Sequence, residues 1–262
     1  MADLMKGKRG LVMGVANDRS IAWGIAKAMR AEGAELAFSY QGDAFGKRVK
    51  PLAEQLGVDL LVDVDVTDDA SLDACFAQIE SAWGKLDFVV HAIAFSDKNE
   101  LGGRFINTTR DNFRNSLTIS CYSLIDVARR AEPLMSDGGS ILTLTYMGSN
   151  RVTPFYNVMG VAKAALESSV RYLANDMGPN KIRVNAISPG PMKTLAGAAI
   201  SGARKTFNTA RDNAPLRDNA TLGSIGGTAV YLASDYGACT TGEIITVDGG
   251  YHVLGMMQPE NL

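Results

Sequence analysis

Metal-binding and disulfide-forming side chains are scarce in this chain of 262 residues, which has three cysteines and two histidines. Cys75, Cys121 and Cys239 are odd in number and far apart, so neither a disulfide framework nor a metal-binding spacing is present. No apolar run approaches membrane-spanning length, and the first residues lack the apolar core of a signal peptide. The net charge of −2 leaves no basic footprint for nucleic acid. These absences predict a soluble protein of a reducing compartment, most simply the cytoplasm, with no metal, nucleic-acid or membrane partner.

Short apolar runs alternate with amphipathic segments along the whole chain, which is 46% hydrophobic. Strands are predicted at 9–13, 35–40, 59–66, 88–92, 140–145, 182–187 and 244–247. Helices are predicted at 21–30, 43–56, 69–83, 109–135, 156–177 and 222–233. Runs that are apolar on both faces indicate a parallel sheet covered by helices on both sides. The sequence therefore predicts an α/β fold, one domain over residues 1–262 with a Rossmann-type doubly wound parallel sheet of about seven strands.

A glycine loop from Gly14 to Gly24 follows the first predicted strand and opens the first helix. Gly14 allows a tight turn, and Gly24 is expected to let the helix approach the sheet. Free N–H groups before Ile21 form an anion site suited to a pyrophosphate, and the Ser20 hydroxyl is expected to cap the helix or bind a phosphate. The loop predicts a dinucleotide site, with a purely structural turn as the alternative.

The end of the second strand bears on which dinucleotide is bound. Asp or Glu often stands there to bind the ribose 2′-OH, whereas a basic residue accepts a 2′-phosphate. Gln41 does neither, and Arg19, Lys47 and Arg48 are near enough in sequence to accept a 2′-phosphate. The sequence favours NAD, with NADH as hydride donor, and leaves NADPH open.

A phenol and an amine stand seven residues apart at Tyr156 and Lys163. Apolar residues recur at helical spacing from Tyr156 to about Met177, so the pair is expected on one helix face, two turns apart. An ammonium there would favour the phenolate that forms when the phenol gives up its proton. Tyr146, at the end of the preceding apolar run, can point into the same space. The pair predicts a proton donor beside a fixed positive charge, against the alternative of a half-buried aromatic and a solvated amine.

Three further motifs resemble the short-chain dehydrogenase/reductase family, and the resemblance covers nearly the whole chain. They are Asp65-Val66 after the third strand, the segment Asn185–Gly190, and Asp248-Gly249-Gly250. The resemblance implies a single doubly wound domain, NAD(P)-linked hydride transfer, and tetramers packed through the long fourth and fifth helices. It also implies that Asp65 and Val66 bind the adenine.

The chain departs from that family's catalytic pattern, which is Ser, then Tyr thirteen residues later, then Lys four residues after that. Counting back from Lys163 places Met159 where the Tyr is expected and Tyr146 where the Ser is expected. Tyr156 would then lie one turn upstream, about 4.5 Å along the helix. Such a donor suits an α,β-unsaturated carbonyl, in which hydride reaches the β-carbon while charge develops on the more distant oxygen.

The Tyr146–Tyr156–Lys163 spacing, with Ser20-Ile21-Ala22 and the segment Gly190–Ala196, is similar to the bacterial enoyl-acyl-carrier-protein reductases of fatty-acid synthesis. That resemblance implies NADH-dependent reduction of the trans-2 double bond of an enoyl thioester, with acyl carrier protein as partner. A carbonyl-reducing short-chain dehydrogenase and a non-catalytic NAD(P)-binding regulator are the alternatives.

The resemblance also implies roles for individual residues. Tyr156 would donate a hydrogen bond to the thioester carbonyl, and the final proton comes from it or through a water relay. Lys163 would bind the nicotinamide ribose, and Tyr146 would assist the carbonyl contact or line the acyl pocket. The implied cofactor-binding residues are Gly14, Ser20, Ile21, Gln41, Asp65, Val66, Ile93, Lys163, Met192 and Thr194. The implied substrate-binding residues are Phe95, Tyr146, Tyr156, Met159, Ile200 and Phe207.

The segment at about 194–210 is rich in small residues. It predicts a lid that closes over the substrate, with a flexible surface loop as the alternative. Arg204 and Lys205 stand beside it and are expected to receive the acidic carrier protein, with a solvated face as the alternative.

Overall fold

The computed structural model describes residues 3–198 and 202–261, and these contain one sheet of seven strands. The strands are β1 Arg9–Met13, β2 Glu35–Tyr40, β3 Leu60–Asp63, β4 Phe88–His91, β5 Gly139–Leu144, β6 Ile182–Pro189 and β7 Ile244–Val247. They lie in the order β3-β2-β1-β4-β5-β6-β7, and all neighbours pair in parallel. The Rossmann-type fold predicted from the sequence is therefore confirmed. The strand order reverses between β1 and β4, so the crevice for a ligand lies at the carboxyl ends of these two strands.

Helices cover both faces of the sheet. They are α1 Ile21–Ala31, α2 Gly42–Leu56, α3 Asp69–Trp83, α4 Lys98–Leu101, α5 Arg110–Leu117, α6 Ser123–Ala131, α7 Val158–Met177, α8 Leu195–Ala198, α9 Ala203–Asn213 and α10 Leu222–Ala233. One apolar core joins the sheet to α3, α6 and α7, and a second joins the opposite face to α1, α2 and α10. Within the part of the chain that the structure describes, no helix is long and apolar enough to cross a membrane.

The contact made by Gly24 differs from the expectation. A Cβ on Gly24 would lie 2.7 Å from the Cβ of Leu222, on α10 rather than on the sheet. The matching position on α10 is Gly226, where a Cβ would lie 3.0 Å from the Gly24 carbonyl oxygen. The prediction that Gly24 approaches the sheet is wrong, because the two glycines allow α1 and α10 to pack closely against each other.

The long helix predicted over 109–135 is interrupted. Between α5 and α6 the chain takes a π-helical segment, Thr118–Tyr122, and after α6 it ends in a 3-10 turn, Glu132–Leu134. The Ser123 hydroxyl donates to the Ile119 carbonyl at 2.6 Å beside this widened turn. Single π-helical turns within α-helices occur frequently at functional sites. Here the segment places the Ser120 hydroxyl against the loop after β4, where it bonds to the backbone of Phe95.

Candidate active site

Gly14 directly follows β1 at the bottom of the crevice. Its φ is +96°, and a Cβ there would lie 2.1 Å from the carbonyl oxygen of Ala92, just after β4. Only glycine tolerates both the left-handed backbone and this close approach. The missing side chain leaves backbone facing the crevice where a dinucleotide-binding loop presents it to a pyrophosphate.

The Ser20 hydroxyl is committed to the glycine loop. It donates to the Asn17 carbonyl at 2.7 Å and accepts from the Ala16 N–H at 3.4 Å. Ser20 occupies the N-cap position of α1 but makes no side-chain capping hydrogen bond, so the expected side-chain cap is wrong. Helix α1 begins at Ile21, and its Trp23 and Gly24 N–H groups donate to the Ser20 carbonyl, whereas the Ile21 and Ala22 N–H groups precede the first helical hydrogen bond. They remain available to an anion.

Gln41 and Asp65 meet at the carboxyl edge of β2 and β3. The Gln41 amide donates to the Asp65 carboxylate at 3.0 Å, and the Thr67 hydroxyl and N–H donate to it at 2.7 and 2.8 Å. These Thr67 hydrogen bonds, with a smaller effect from Gln41, lower the pKa of Asp65 below its ordinary value. Val66, the next residue after Asp65, is half-buried. An ionised carboxylate beside an amide suits the adenosine end of a dinucleotide, so this edge and the glycine loop together fit that cofactor.

Tyr156 does not lie on the helix that carries Lys163. It belongs to a turn over residues 154–157, and α7 begins only at Val158. Its neighbours Phe155 and Asn157 have φ values of 62° and 38°. Non-glycine residues rarely adopt positive φ, and such strain is concentrated at functional sites. The prediction that Tyr156 and Lys163 share one helix face, two turns apart, is therefore wrong, and so is the 4.5 Å displacement along a helix axis.

The Tyr156 ring is held by close packing. The residue is 8% exposed, and its ring meets that of Tyr146 edge-on, with centroids 5.1 Å apart and an angle of 63°. Met159 belongs to the same apolar cluster. A Cβ on Gly148 would lie 2.5 Å from the Tyr156 ring, so the turn at Met147–Ser149 accommodates this ring only because residue 148 is glycine. The structure thus brings together three of the predicted substrate-binding residues.

Burial dominates the ionisation of both phenols. It raises the pKa of Tyr156 above its ordinary value, and the charges of Tyr146 and Glu167 act in the same direction. Burial also raises the pKa of Tyr146 to about 12, with a further contribution from Tyr251. The Lys163 ammonium donates to the Leu144 carbonyl rather than to either phenol. Both phenols are neutral hydrogen-bond donors at neutral pH.

Lys163 lies inside α7 with its amine under the crevice. It is 5% exposed, and its Nζ donates to the Leu144 carbonyl at the end of β5, at 2.7 Å. Burial lowers the pKa of Lys163 to about 8, while Cys121 and Glu167 oppose that change. The amine therefore still carries its charge for most of the time at pH 7.

Sequence reasoning missed two polar groups around Lys163. Glu167 accepts a hydrogen bond from the Thr145 hydroxyl at 2.6 Å. His91 is completely buried, with its ring nitrogens 2.8 Å from the Ser123 hydroxyl and 3.2 Å from the Thr143 hydroxyl. Burial and the nearby Lys163 charge lower the pKa of His91 to about 3.

Only one of these two groups had a signal in the sequence. Glu167 follows Lys163 by four residues, a spacing at which side chains on a helix are neighbours. His91 pairs with Thr143 across β4 and β5, and that register is invisible in the sequence.

Ile93, Met192 and Thr194 lie on loops that follow β4 and β6. Ile93 and Met192 are half-buried, and each packs against a different one of the two cores. The Thr194 hydroxyl accepts from the Gly197 N–H at 3.0 Å at the start of α8. Its proton remains available to a further acceptor.

Phe95 lies on the loop after β4 and is 55% exposed. Its N–H and carbonyl both bond to the Ser120 hydroxyl, at 3.0 and 3.1 Å. The same hydroxyl lies 3.8 Å from the Met159 sulfur. The π-helical segment therefore fixes Phe95 beside the cluster that holds Tyr156.

Phe207 lies on α9 rather than in that cluster. The Lys193 ammonium lies 4.4 Å from the centroid of its ring. At the start of α9, a Cβ on Gly202 would lie 3.4 Å from the Phe155 ring, so this end of the helix lies next to the turn that carries Tyr156. Arg204 and Lys205 are exposed in the first turn of α9. Ile200 lies outside the described residues.

No group of three or more His, Cys, Asp or Glu side chains is placed to hold a metal ion within residues 3–198 and 202–261. The crevice brings together one buried and one half-buried phenol, a buried amine and a carboxylate, beside a loop that fits a dinucleotide.

Comparison with known proteins gives matches over nearly the whole chain. Residues 14–252 match the model of the family described as enoyl-(acyl carrier protein) reductase. Enoyl-acyl-carrier-protein reductase (NADH) 2 of Rhizobium meliloti (strain 1021) is 60% identical over 262 residues, which cover all of this chain and 98% of the relative.

Solved structures agree with this match. The enoyl-acyl-carrier-protein reductase of Anaplasma phagocytophilum, in complex with NAD, is 58% identical, with a TM-score of 0.95 and 97% of each chain covered. The enoyl-acyl carrier protein reductase of Bacillus cereus, with NADP+ and indole naphthyridinone, is 48% identical, with a TM-score of 0.95. That match covers 97% of this chain and 99% of the other.

Proposed function

Because this chain belongs to the enoyl-(acyl carrier protein) reductase family, we propose that Tyr156 donates the hydrogen bond that activates the substrate's thioester carbonyl. The chain is an NADH-dependent enoyl-acyl-carrier-protein reductase of fatty-acid synthesis. Its substrate is an enoyl group on acyl carrier protein, reduced at the trans-2 double bond. The single observation that supports our assignment is the burial of the Tyr156 phenol between Tyr146 and Met159 at the crevice.

Tyr156 acts as a neutral donor. Its raised pKa keeps the phenol protonated at neutral pH, so the hydroxyl can donate to the oxygen on which the enolate charge develops. Met159 occupies the position of the usual donor in carbonyl-reducing relatives, and a thioether cannot donate a proton. Tyr146, whose ring holds Tyr156 edge-on, completes the carbonyl contact. The final proton reaches the product from Tyr156 or through a water relay.

The cofactor-binding residues follow the carboxyl edge of the sheet. When bound, NADH supplies the hydride that this reaction adds to the β-carbon. The backbone at Gly14, Ser20 and Ile21 holds the pyrophosphate, and the Lys163 ammonium binds the nicotinamide ribose hydroxyls. The adenosine end is bound by Gln41, Asp65 and Val66, and the nicotinamide is flanked by Ile93, Met192 and Thr194.

The same domain carries the substrate site. Phe95, Tyr146 and Met159 line an acyl slot, and α8 with α9 forms a lid that closes over it through Phe207. The closeness of Gly202 to the Phe155 ring supports this assignment, because it places the start of α9 next to the turn that carries Tyr156.

Arg204 and Lys205 are proposed to receive the acyl carrier protein. Both are exposed on the first turn of α9, next to the proposed lid. An acidic carrier that docks there would deliver its thioester beside the acyl slot.

We also propose that the enzyme is a cytoplasmic homotetramer. Phe113, Tyr122, Ile125 and Val161 are large apolar residues exposed on α5, α6, α7 and the π-helical segment, and such a face suits a second copy of the chain. The cysteines of the described residues are all free, which suits a reducing compartment. Light scattering after size-exclusion chromatography tests the tetramer, and cell fractionation tests the location.

An assay with two thioesters tests the activity. NADH oxidation is followed with crotonyl thioester, which carries a double bond, and with acetoacetyl thioester, which carries a ketone. We expect turnover of the crotonyl thioester alone. Turnover of the ketone alone would mean a carbonyl reductase, and NADH binding without turnover of either thioester would mean a non-catalytic protein.

A further inference from the structure

Two side chains of α7 contact neighbouring residues at the end of β5. The Lys163 ammonium donates to the carbonyl of Leu144 at 2.7 Å, and the hydroxyl of Thr145 donates to the carboxylate of Glu167 at 2.6 Å. Lys163 and Glu167 are four residues apart, so they lie on the same side of α7, one turn from each other. Thr145 is 4% exposed, and its hydroxyl fixes the carboxylate on the side of α7 that faces the strand.

Lys163 has few other charged or titratable neighbours. The groups that face it are Glu167 on its own helix, Cys121 on the π-helical segment and His91 on β4. Burial keeps His91 neutral, because its pKa is about 3. Among these described neighbours, Glu167 is the one whose side chain is a carboxylate.

We infer that Glu167 is a positioning residue for the reaction, whose carboxylate, held by Thr145 one turn from Lys163, keeps the buried amine of Lys163 charged. The inference rests on the cofactor-binding role proposed for Lys163. An ammonium removed from water loses its proton readily unless a negative charge compensates it. Glu167 supplies that charge from one turn away without reaching the cofactor or the substrate itself.

Glu167→Gln tests the inference, because the amide keeps the shape and can still accept from Thr145 while the charge is lost. Protein with 13C-enriched lysine is titrated by NMR from pH 6 to 10.5, and the Lys163 signal is identified by its loss in Lys163→Arg. We expect a parent midpoint of about 8, which falls by about one pH unit in Glu167→Gln. Glu167→Asp, which keeps the charge, should recover most of that fall.

Asp176→Asn is the matched control, because it removes an exposed carboxylate from the same helix. Its Lys163 midpoint should equal that of the parent, and thermal melts should show that all the variants fold. A Lys163 midpoint in Glu167→Gln that equals the parent's overturns the inference. So does an equal fall in Asp176→Asn, because it would then be a general effect of net charge.

The pH dependence of kcat/KM separates this inference from the proposed role of Lys163. The pH at which kcat/KM falls on the alkaline side should be lower in Glu167→Gln than in the parent, by the same interval as the NMR midpoint. In Lys163→Arg, which does not titrate in this range, that limb should disappear. If the limb remains in Lys163→Arg, the proposed role of Lys163 is wrong, whereas the NMR midpoints still decide whether Glu167 keeps the amine charged.

Discussion

Replacement of Tyr156 by phenylalanine removes one hydroxyl and leaves the packing of the ring in place. The ring lies between Tyr146, Met159 and Gly148, and none of these contacts uses the hydroxyl. We therefore expect Tyr156→Phe to fold as the parent does. The change isolates the hydrogen bond that the phenol donates to the substrate oxygen.

The expected loss in turnover follows from the burial of Tyr156. A preorganised donor to a developing oxyanion contributes about 3 to 4 kcal/mol in a site from which water is excluded, which corresponds to roughly 10²- to 10³-fold in kcat. Tyr156 is 8% exposed, so water has little room to replace the missing donor. Because the interaction strengthens only as the enolate forms, kcat and kcat/KM should fall together. NADH affinity should stay close to the parent value, since Lys163 and the glycine loop are unchanged.

Initial rates of NADH oxidation with saturating crotonyl thioester measure this loss, and NADH fluorescence measures the affinity. Tyr236→Phe is the matched control, because Tyr236 is 73% exposed and lies outside the crevice. A Tyr156→Phe enzyme that turns over as fast as Tyr236→Phe would refute the assignment of Tyr156. A loss confined to NADH affinity would refute it as well, because it would place the hydroxyl on the cofactor.

Three further predictions concern the glycines of the crevice and the buried amine. Gly148→Ala should lower kcat at least tenfold, because the new Cβ would lie 2.5 Å from the Tyr156 ring and displace it. Gly227→Ala, whose new Cβ meets open space, should leave kcat unchanged, and parallel rate assays compare the two variants. Gly14→Ala should abolish measurable NADH binding by fluorescence titration, because its Cβ would meet a carbonyl oxygen at 2.1 Å; NADH affinity equal to the parent's would contradict this. Lys163 has a pKa of about 8 in the folded state against 10.5 ordinarily, so the cost of burying its charge is full below pH 8 and disappears as pH rises to 10.5. Urea unfolding measures this cost as the difference in free energy of unfolding between the parent and Lys163→Met. As pH rises from 8 to 10.5, the parent should gain about 3 kcal/mol relative to the variant. A difference independent of pH would show that the amine is not desolvated.

The fold was predictable because its main signals are local. The apolar runs that form β1, β2 and β7 end where the sequence pattern ends, and the glycine loop lies between β1 and α1 as expected. Burial on both faces makes parallel strands continuously apolar, so their number and spacing can be read directly. The family pattern around Lys163 also showed that Met159 stands in place of the usual Tyr, and this departure distinguishes an enoyl reductase from a carbonyl reductase.

The site was less predictable because its geometry depends on backbone conformation and on contacts distant in sequence. Apolar spacing runs smoothly through Tyr156, yet the positive φ of Asn157 delays the helix by two residues. The Asn157 side chain is turned towards the carbonyls around α4, among them Gly102 at 3.3 Å, which lies more than fifty residues away. The interruption of the helix at Thr118–Tyr122 likewise has no local signal. Tertiary contacts decide these details, and periodicity does not report them.

The distance between the Tyr156 hydroxyl and the thioester oxygen tests the central claim most directly. It can be measured in a crystal structure of this enzyme with NAD and an unreactive enoyl thioester analogue. We predict a distance of about 2.6 to 3.2 Å from the phenol oxygen to the carbonyl oxygen. A carbonyl oxygen bound by another group, with the Tyr156 hydroxyl turned away from it, would contradict the claim.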